Sequence, residues 1–264
     1  MSKQLLWNSA KAALIATTLA VLLTAAQARL TPDQEQLLAA ARVYALHYSA
    51  SLPDFLCTQI VHRSEDRMDN GRWRDLDTLN IKLSYSGHKE DYRLMEVNGK
   101  PTLLDYRNVG GAVSTGEFGS RLYAIFAPQS GTEFAWKGWS HVRRRRVAVF
   151  TYRISLEKST YGLQFGPVPV GPNAMVIGYH GEVSIDPVSN TVLRQTLEGD
   201  IPMKFPITAC SSWVEYDYRD VAGSSYLVPV AAQTTLASGR YRASNRIEFQ
   251  EYRKFGTETT ITFK

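Results

Sequence analysis

The sequence predicts an α+β domain: an antiparallel sheet assembled from hairpins, with one helix at the N-terminus and another in mid-chain laid across a sheet face. Three observations carry this. Apolar residues recur with helical spacing in two stretches only, after Thr31 and after Phe118, whereas from Phe55 onward the period is otherwise two. Turn pairs such as Asn70-Gly71 and Asn98-Gly99 separate the alternating runs. No Pro/Gly/Ser linker, low-complexity tract or repeat divides the chain, so residues 29–264 read as one domain.

The first 28 residues read as a secretory signal peptide. Lys3 and Lys11 supply positive charge, residues 12–26 are apolar and uncharged, and Ala26-Gln27-Ala28 gives a small-x-small cleavage pattern. The apolar core is shorter than the ~20 residues a membrane span requires. No cysteine follows it, so a lipidated N-terminus is not expected, and the mature chain should start at Arg29 in the periplasm or outside the cell. Loss of the two lysines lowers the net charge from +5 to +3. Such mild basicity allows at most peripheral membrane contact, and export argues against a nucleic-acid partner.

The elements follow in order. Thr31-Pro32-Asp33-Gln34 combines an N-cap, proline at the first helical position and a capping-box glutamine. Leu37, Ala41, Tyr44 and Tyr48 form the stripe of this helix, which should stop before Leu52-Pro53. Hairpin turns are expected at Asn70-Gly71, Asn98-Gly99, Asp186 to Asn190, Ala222-Gly223-Ser224 and Phe255-Gly256-Thr257. Ser114-Thr115-Gly116-Glu117 reads as a second capping box, opening a helix with Phe118, Leu122, Ile125 and Phe126 on one face and Pro128 at its end. Arg143 to Arg146 fall between two alternating runs, where a solvated strand junction is expected. After them Ala148, Phe150, Tyr152, Ile154 and Leu156 share a face.

Cys57 and Cys210 are the only cysteines. An even count in an oxidising compartment favours a disulfide; two separate buried thiols are the alternative. Neither C-x-x-C nor a paired-histidine spacing occurs, so no metal and no cofactor are expected. "GGAVSTGEFGS" lacks the Lys-Ser/Thr of a phosphate loop, and no G-x-S-x-G elbow is present. His180 and Glu182 share a strand face with Ser184 and Asp186, the best acid/base cluster in the chain, though a solvated strand face has the same composition. The chain is therefore read as non-enzymatic. Its 14 Tyr, 10 Phe and 5 Trp stand out instead. A curved sheet with such a concave face, covered by helices, can bury a core or enclose an apolar ligand.

The order of signal peptide, helix, hairpins, short amphipathic helix and further hairpins resembles the periplasmic lipoprotein-carrier superfamily, the LolA/LolB-like proteins with the sensor domain of RseB/MucB type. "VSIDPVSNTVLRQTLEGD" is similar to that family's strand, turn and strand, and "YDYRDVAGSSYLVPVAAQT" to its later aromatic strand, Gly turn and Leu-x-Pro strand. "LPDFLCTQIVHR" resembles the start of other exported proteins. The resemblance implies an unclosed β-barrel whose helices cover a cavity for acyl chains. On that reading Phe118, Leu122, Ile125 and Phe126 face Phe150, Tyr152 and Ile154 across the cavity. The partner would be the acyl chain of a lipid or lipoprotein, with an envelope protein as a further partner. The alternatives are an envelope sensor or scaffold without ligand, and a hydrolase using His180 and Glu182.

Overall fold

Thr31 begins the first helix as its side chain dictates. Its hydroxyl accepts from the Gln34 amide at 3.4 Å, while its own amide donates to Gln34 Oε1 at 3.0 Å. This reciprocal pair opens helix α1, Pro32–Ser51, which ends in extended backbone at Leu52. The computed structural model describes residues 29–109, 117–164 and 174–255; the expected signal segment, the Ser114 to Gly116 part of the second capping box, and Gly256-Thr257 lie outside them. Leu38, Ala41, Ala45 and Tyr48 are the buried face of α1, with Leu37 and Tyr44 packed at its margin. Thr31→Ala should cost about 1 kcal/mol, lowering the melting temperature by roughly 2–4 °C. A thermal melt identical to the parent's would show that the cap contributes nothing.

Among the described residues thirteen strands follow α1: β1 Phe55–Asp66, β2 Arg74–Ser86, β3 Lys89–Val97, β4 Lys100–Pro101, β5 Glu133–Val142, β6 Arg145–Ile154, β7 Gly162–Gln164, β8 Ala174–Val176, β9 Gly178–Ile185, β10 Val192–Asp200, β11 Ala209–Val221, β12 Ser224–Ser238 and β13 Tyr241–Lys254. Eleven make one antiparallel sheet in the order β4-β3-β2-β1-β13-β12-β11-β10-β9-β6-β5, while β7 and β8 form a separate small ribbon. The sheet curves without closing into a barrel. Its two edge strands, β4 and β5, are consecutive in the chain. The described part of the segment between them carries helix α2, Ser120–Phe126, on the inner face.

α1 and α2 share that face. The Tyr48 hydroxyl of α1 donates to the Leu227 carbonyl of β12 at 2.9 Å, and Tyr85 of β2 donates to the Ser49 carbonyl at 2.8 Å. Gly119 caps α2 at φ +116, where a side chain would meet Ser49 and Tyr48 of α1. Phe118, just before it, sits among Phe55, Tyr85, Phe249 and Tyr252 with ring centroids 5.2 to 6.3 Å away.

Some turns follow the sequence reading and some do not. Asn98-Gly99 and Ala222-Gly223 hold φ > 0 at both central residues, as a two-residue hairpin turn demands. Gly87-His88 does the same without having been foreseen. At Asn70-Gly71 the expected tight turn is replaced by a longer loop. There the buried Asp66 carboxylate accepts from the amides of Met68, Asn70 and Gly71, and positive φ falls on Asp69 and Gly71 instead. A carboxylate that organises several amides outcompetes the local preference of an Asn-Gly pair. The second helix is likewise shifted: it begins at Ser120, with residues 117 to 119 in a turn, and the Glu117 side chain pairs with Arg121. Leu156, expected on the buried face of β6, lies past the strand end and is exposed.

The expected Cys57–Cys210 disulfide is absent; both thiols are free and buried. The register explains why. Cys210 of β11 stands opposite Leu236 of β12, which stands opposite Ala243 of β13, which stands opposite Glu65 of β1. Cys57 is therefore eight residues along β1 from the level of Cys210 and three strands away, roughly 27 Å by 14 Å at ordinary strand spacings. A disulfide needs Cα atoms within about 7 Å. Burial pushes the Cys57 thiol well up, against a hydrogen bond with Tyr252, and pushes Cys210 up to about 11. Maleimide at neutral pH should leave the folded protein unlabelled and add to both thiols once it is unfolded without reductant. Unfolded protein that refuses two labels would contradict this.

Candidate functional site

The site begins with a glycine. Gly181 of β9 lies between Tyr152 of β6 and Thr196 of β10, and a Cβ there would stand 2.1 Å from the Thr196 carbonyl oxygen. Because the space is empty, the Tyr152 hydroxyl reaches across β9 and donates to that carbonyl at 2.7 Å. The Glu182 amide bonds the Thr196 hydroxyl at 2.9 Å rather than a ladder carbonyl. The sheet is thus locally remodelled beneath α2.

Above this point lies a cavity of about 270 Å³. Its roof is α2, through Ser120, Arg121, Ala124 and Ile125; its floor is Tyr152, Tyr179, Gln195, Thr196 and Leu197. Thr160, Tyr161 and Gly162 close one side, and Ser212 and Trp213 of β11 the other. Burial holds the Tyr152 hydroxyl well above its usual range and Tyr179 up to about 12, so both stay neutral. Half of the lining residues are aromatic or aliphatic.

One end of it is polar. Arg121 donates to the Ser212 hydroxyl at 3.0 Å and pairs with the fully buried Glu117 at 3.5 Å. Burial is the largest single influence and opposes the guanidinium's charge, but the Glu117 carboxylate together with smaller contributions from Tyr161, Tyr216 and Tyr92 raises its pKa, so the arginine stays ionised. Tyr92 lies between Glu117 and Glu90, and burial with those two carboxylates keeps its hydroxyl protonated. Tyr216 donates to the Glu117 carbonyl at 3.2 Å and accepts from Gln195 at 3.0 Å. A chain of buried polar groups therefore runs from β3 to β10 beneath α2.

Of the residues expected to line a cavity, Ile125 and Tyr152 do so. Phe118, Leu122, Phe126, Phe150 and Ile154 are buried, each at most 1% exposed, and are not among the lining residues. Phe126 stacks on Phe134, and Phe150 meets Trp136 edge-on. His180 and Glu182 are not joined: His180 bonds Asp200 at 2.9 Å, and Glu182 pairs with Lys137. Arg143 and Arg144 form the β5–β6 turn, with Arg143 at φ +55, while Arg145 and Arg146 open β6. Arg143 reaches Asp217 at 2.6 Å, Arg145 approaches Asp186 at 3.7 Å, and Arg146 covers the Trp139 ring at 4.0 Å. Among the described residues, no three His, Cys, Asp or Glu side chains gather as a metal site.

An open antiparallel sheet with two helices in its trough and a ligand-sized hollow beneath one of them defines the architecture. No protein-family description matches this chain, and no curated protein matches its sequence. Among solved structures, a DUF1329 family protein from Desulfovibrio piger is similar over 88% of this chain and 96% of its own, with 7% identity and a TM-score of 0.41. A LolA superfamily protein from Nitrosomonas europaea is similar over 87% and 97%, with 8% identity and a TM-score of 0.39. A Vibrio parahaemolyticus domain assigned to outer membrane lipoprotein sorting is similar over 86% and 94%, with 11% identity and a TM-score of 0.36.

Proposed function

We propose that the chain is an exported, non-enzymatic binding protein that holds a single acyl chain in the cavity between α2 and the sheet. The cavity carries the reading: about 270 Å³ in a protein whose neighbouring core is closely filled. That volume lies just under the ~300 Å³ at which small-molecule pockets begin, room for a single alkyl chain. Its floor of Leu197, Tyr152 and Tyr179 offers apolar contact, and each methylene removed from water contributes about 0.8 kcal/mol. The signal-like first 28 residues support export. Among the described residues no helix is long and apolar enough to cross a membrane. Protein produced with its leader and purified without detergent should yield a bound lipid to organic extraction and mass spectrometry. Ala124→Trp, which fills the cavity from its roof, should yield none. Equal lipid from both proteins would contradict the reading.

A further inference from the structure

We infer that the outer face of the sheet, away from α1 and α2, holds a second site, for a neutral saccharide that stacks on Trp73. The inference goes beyond the acyl-chain reading and does not rest on it. Thr78, His62, Arg246 and Gln233 stand opposite one another on β2, β1, β13 and β12. Their chain neighbours Val61 and Ile247 are buried in the core, so this row faces outward. Beside the row β2 bulges: Arg63 pairs with Asp77 and Ser64 with Asp75, and Leu76 between them has no partner on β1. Residues around this irregularity border a hollow of about 670 Å³, within the roughly 300–1,000 Å³ range of ligand pockets.

Trp73 borders the hollow and is 44% exposed. Its loop is fastened by Asp66, whose carboxylate gathers three loop amides, and by the 2.5 Å ion pair of Asp69 with Arg242. None of these three anchors borders the hollow, so the ring is positioned without occupying the groups that a ligand would meet. Around it stand exposed polar side chains with capacity to spare. Among the described residues the Arg246 guanidinium and the Asp75 carboxylate have no hydrogen-bond or ion-pair partner. His62 and Asn98 each use one side-chain atom on Thr78, at 3.3 and 2.9 Å, which leaves His62 Nε2 and Asn98 Nδ2 open. The set mixes donors with an acceptor, as does a row of hydroxyls, and the C–H face of a sugar ring packs on the negative face of an indole. Charge narrows the class. An acidic ligand would meet Asp75 and a cationic one Arg246, while Arg63 and Asp77, also on the border, pair at 2.6 Å and add no net charge.

The experiment is calorimetric titration of the mature protein at neutral pH with three linear trisaccharides: maltotriose and the β-linked trimer of N-acetylglucosamine, both neutral, and trigalacturonate, which is acidic. At least one neutral trimer should bind with a millimolar or tighter dissociation constant, and trigalacturonate about tenfold more weakly or not at all, because it sets like charges together. Trp73→Ala should weaken the neutral trimer by about tenfold or more, the usual effect of truncating a tryptophan anchor. Asp75→Asn should narrow the gap between neutral and acidic trimers. Trp139→Ala, which removes a tryptophan 50% exposed outside the hollow, should leave binding unchanged. No binding of either neutral trimer at millimolar concentration, tighter binding of trigalacturonate, or an equal effect of Trp73→Ala and Trp139→Ala would each overturn the inference. None of these results bears on the acyl chain, whose cavity lies on the opposite face of the sheet. The comparison of trimers in the parent decides the matter if a variant does not fold.

Discussion

Gly181→Ala should be among the most damaging single-methyl additions in this protein. The added Cβ would lie 2.1 Å from the Thr196 carbonyl oxygen and 2.7 Å from its carbon, so relief requires β9 and β10 to separate. Separation breaks the Tyr152 to Thr196 bond and strains the Glu182 to Thr196 contact. Overpacking against movable side chains costs about 1–3 kcal/mol, and against backbone the loss should reach at least ~3 kcal/mol, a fall of roughly 6–12 °C in melting temperature. Tyr152 and Thr196 both line the cavity, so ligand binding should fall with it. Gly162→Ala is the matched control. It too lies on the cavity wall, but nothing stands within 4 Å of its added Cβ, and it should stay within about 0.5 kcal/mol of the parent. Two variants that melt alike would mean that the remodelled β9–β10 contact is not as described.

Leu122→Asp should be more destructive still. Leu122 is fully buried in the short helix α2 that spans the trough, so the change removes apolar contact and leaves a carboxyl with no water. Large-to-small core changes alone cost about 2–5 kcal/mol, and a buried group without partners adds to that, neutralised or not. A total above ~5 kcal/mol would consume much of a stability of about 5–15 kcal/mol. The expected readout is a melting temperature lower by 10 °C or more, or no cooperative unfolding transition. Leu122→Met, which keeps the volume, should cost less than about 1.5 kcal/mol. If Leu122→Asp melted with the parent, α2 would not be docked in the sheet.

The architecture was legible in the sequence because it is written in local signals. Thr31 and Gln34 mark a helix start whatever lies beyond them, and a pair such as Asn98-Gly99 closes a hairpin from its own backbone preferences. Those signals misled where a distant or charged partner intervened. Asp66 rebuilt the Asn70-Gly71 turn, and Glu117, read as a capping residue, pairs with Arg121. The Glu117 and Arg121 spacing of four was visible and could have suggested a helical ion pair. The disulfide was inferred from compartment and parity, neither of which carries register; the pairing of β1, β13, β12 and β11 separates the thiols.

The cavity wall was harder to see. The apolar stripe of α2 and the strong face of β6 mark burial, and burial alone does not say which side chains border a hollow. Leu122, Phe126 and Phe150 are packed tight, while Ala124 and Arg121, off the stripe, form the roof with Ile125. A glutamine between Leu193 and Leu197 on an inward-facing strand position was the one local sign of a polar lining. Gly181 left a weaker mark still, since its role depends on a tyrosine one strand away and a carbonyl on the strand beyond.

Chain-length dependence of binding tests the central claim most directly. Dissociation constants for a series of linear alkyl ligands from six carbons upward, sharing one polar end, should fall by about fourfold per methylene, the equivalent of ~0.8 kcal/mol, until the cavity is full and the gain stops. Ala124→Trp should abolish the dependence with the fold intact. Affinities that do not change with length, or a series unaltered by Ala124→Trp, would contradict the account and leave a scaffold without ligand.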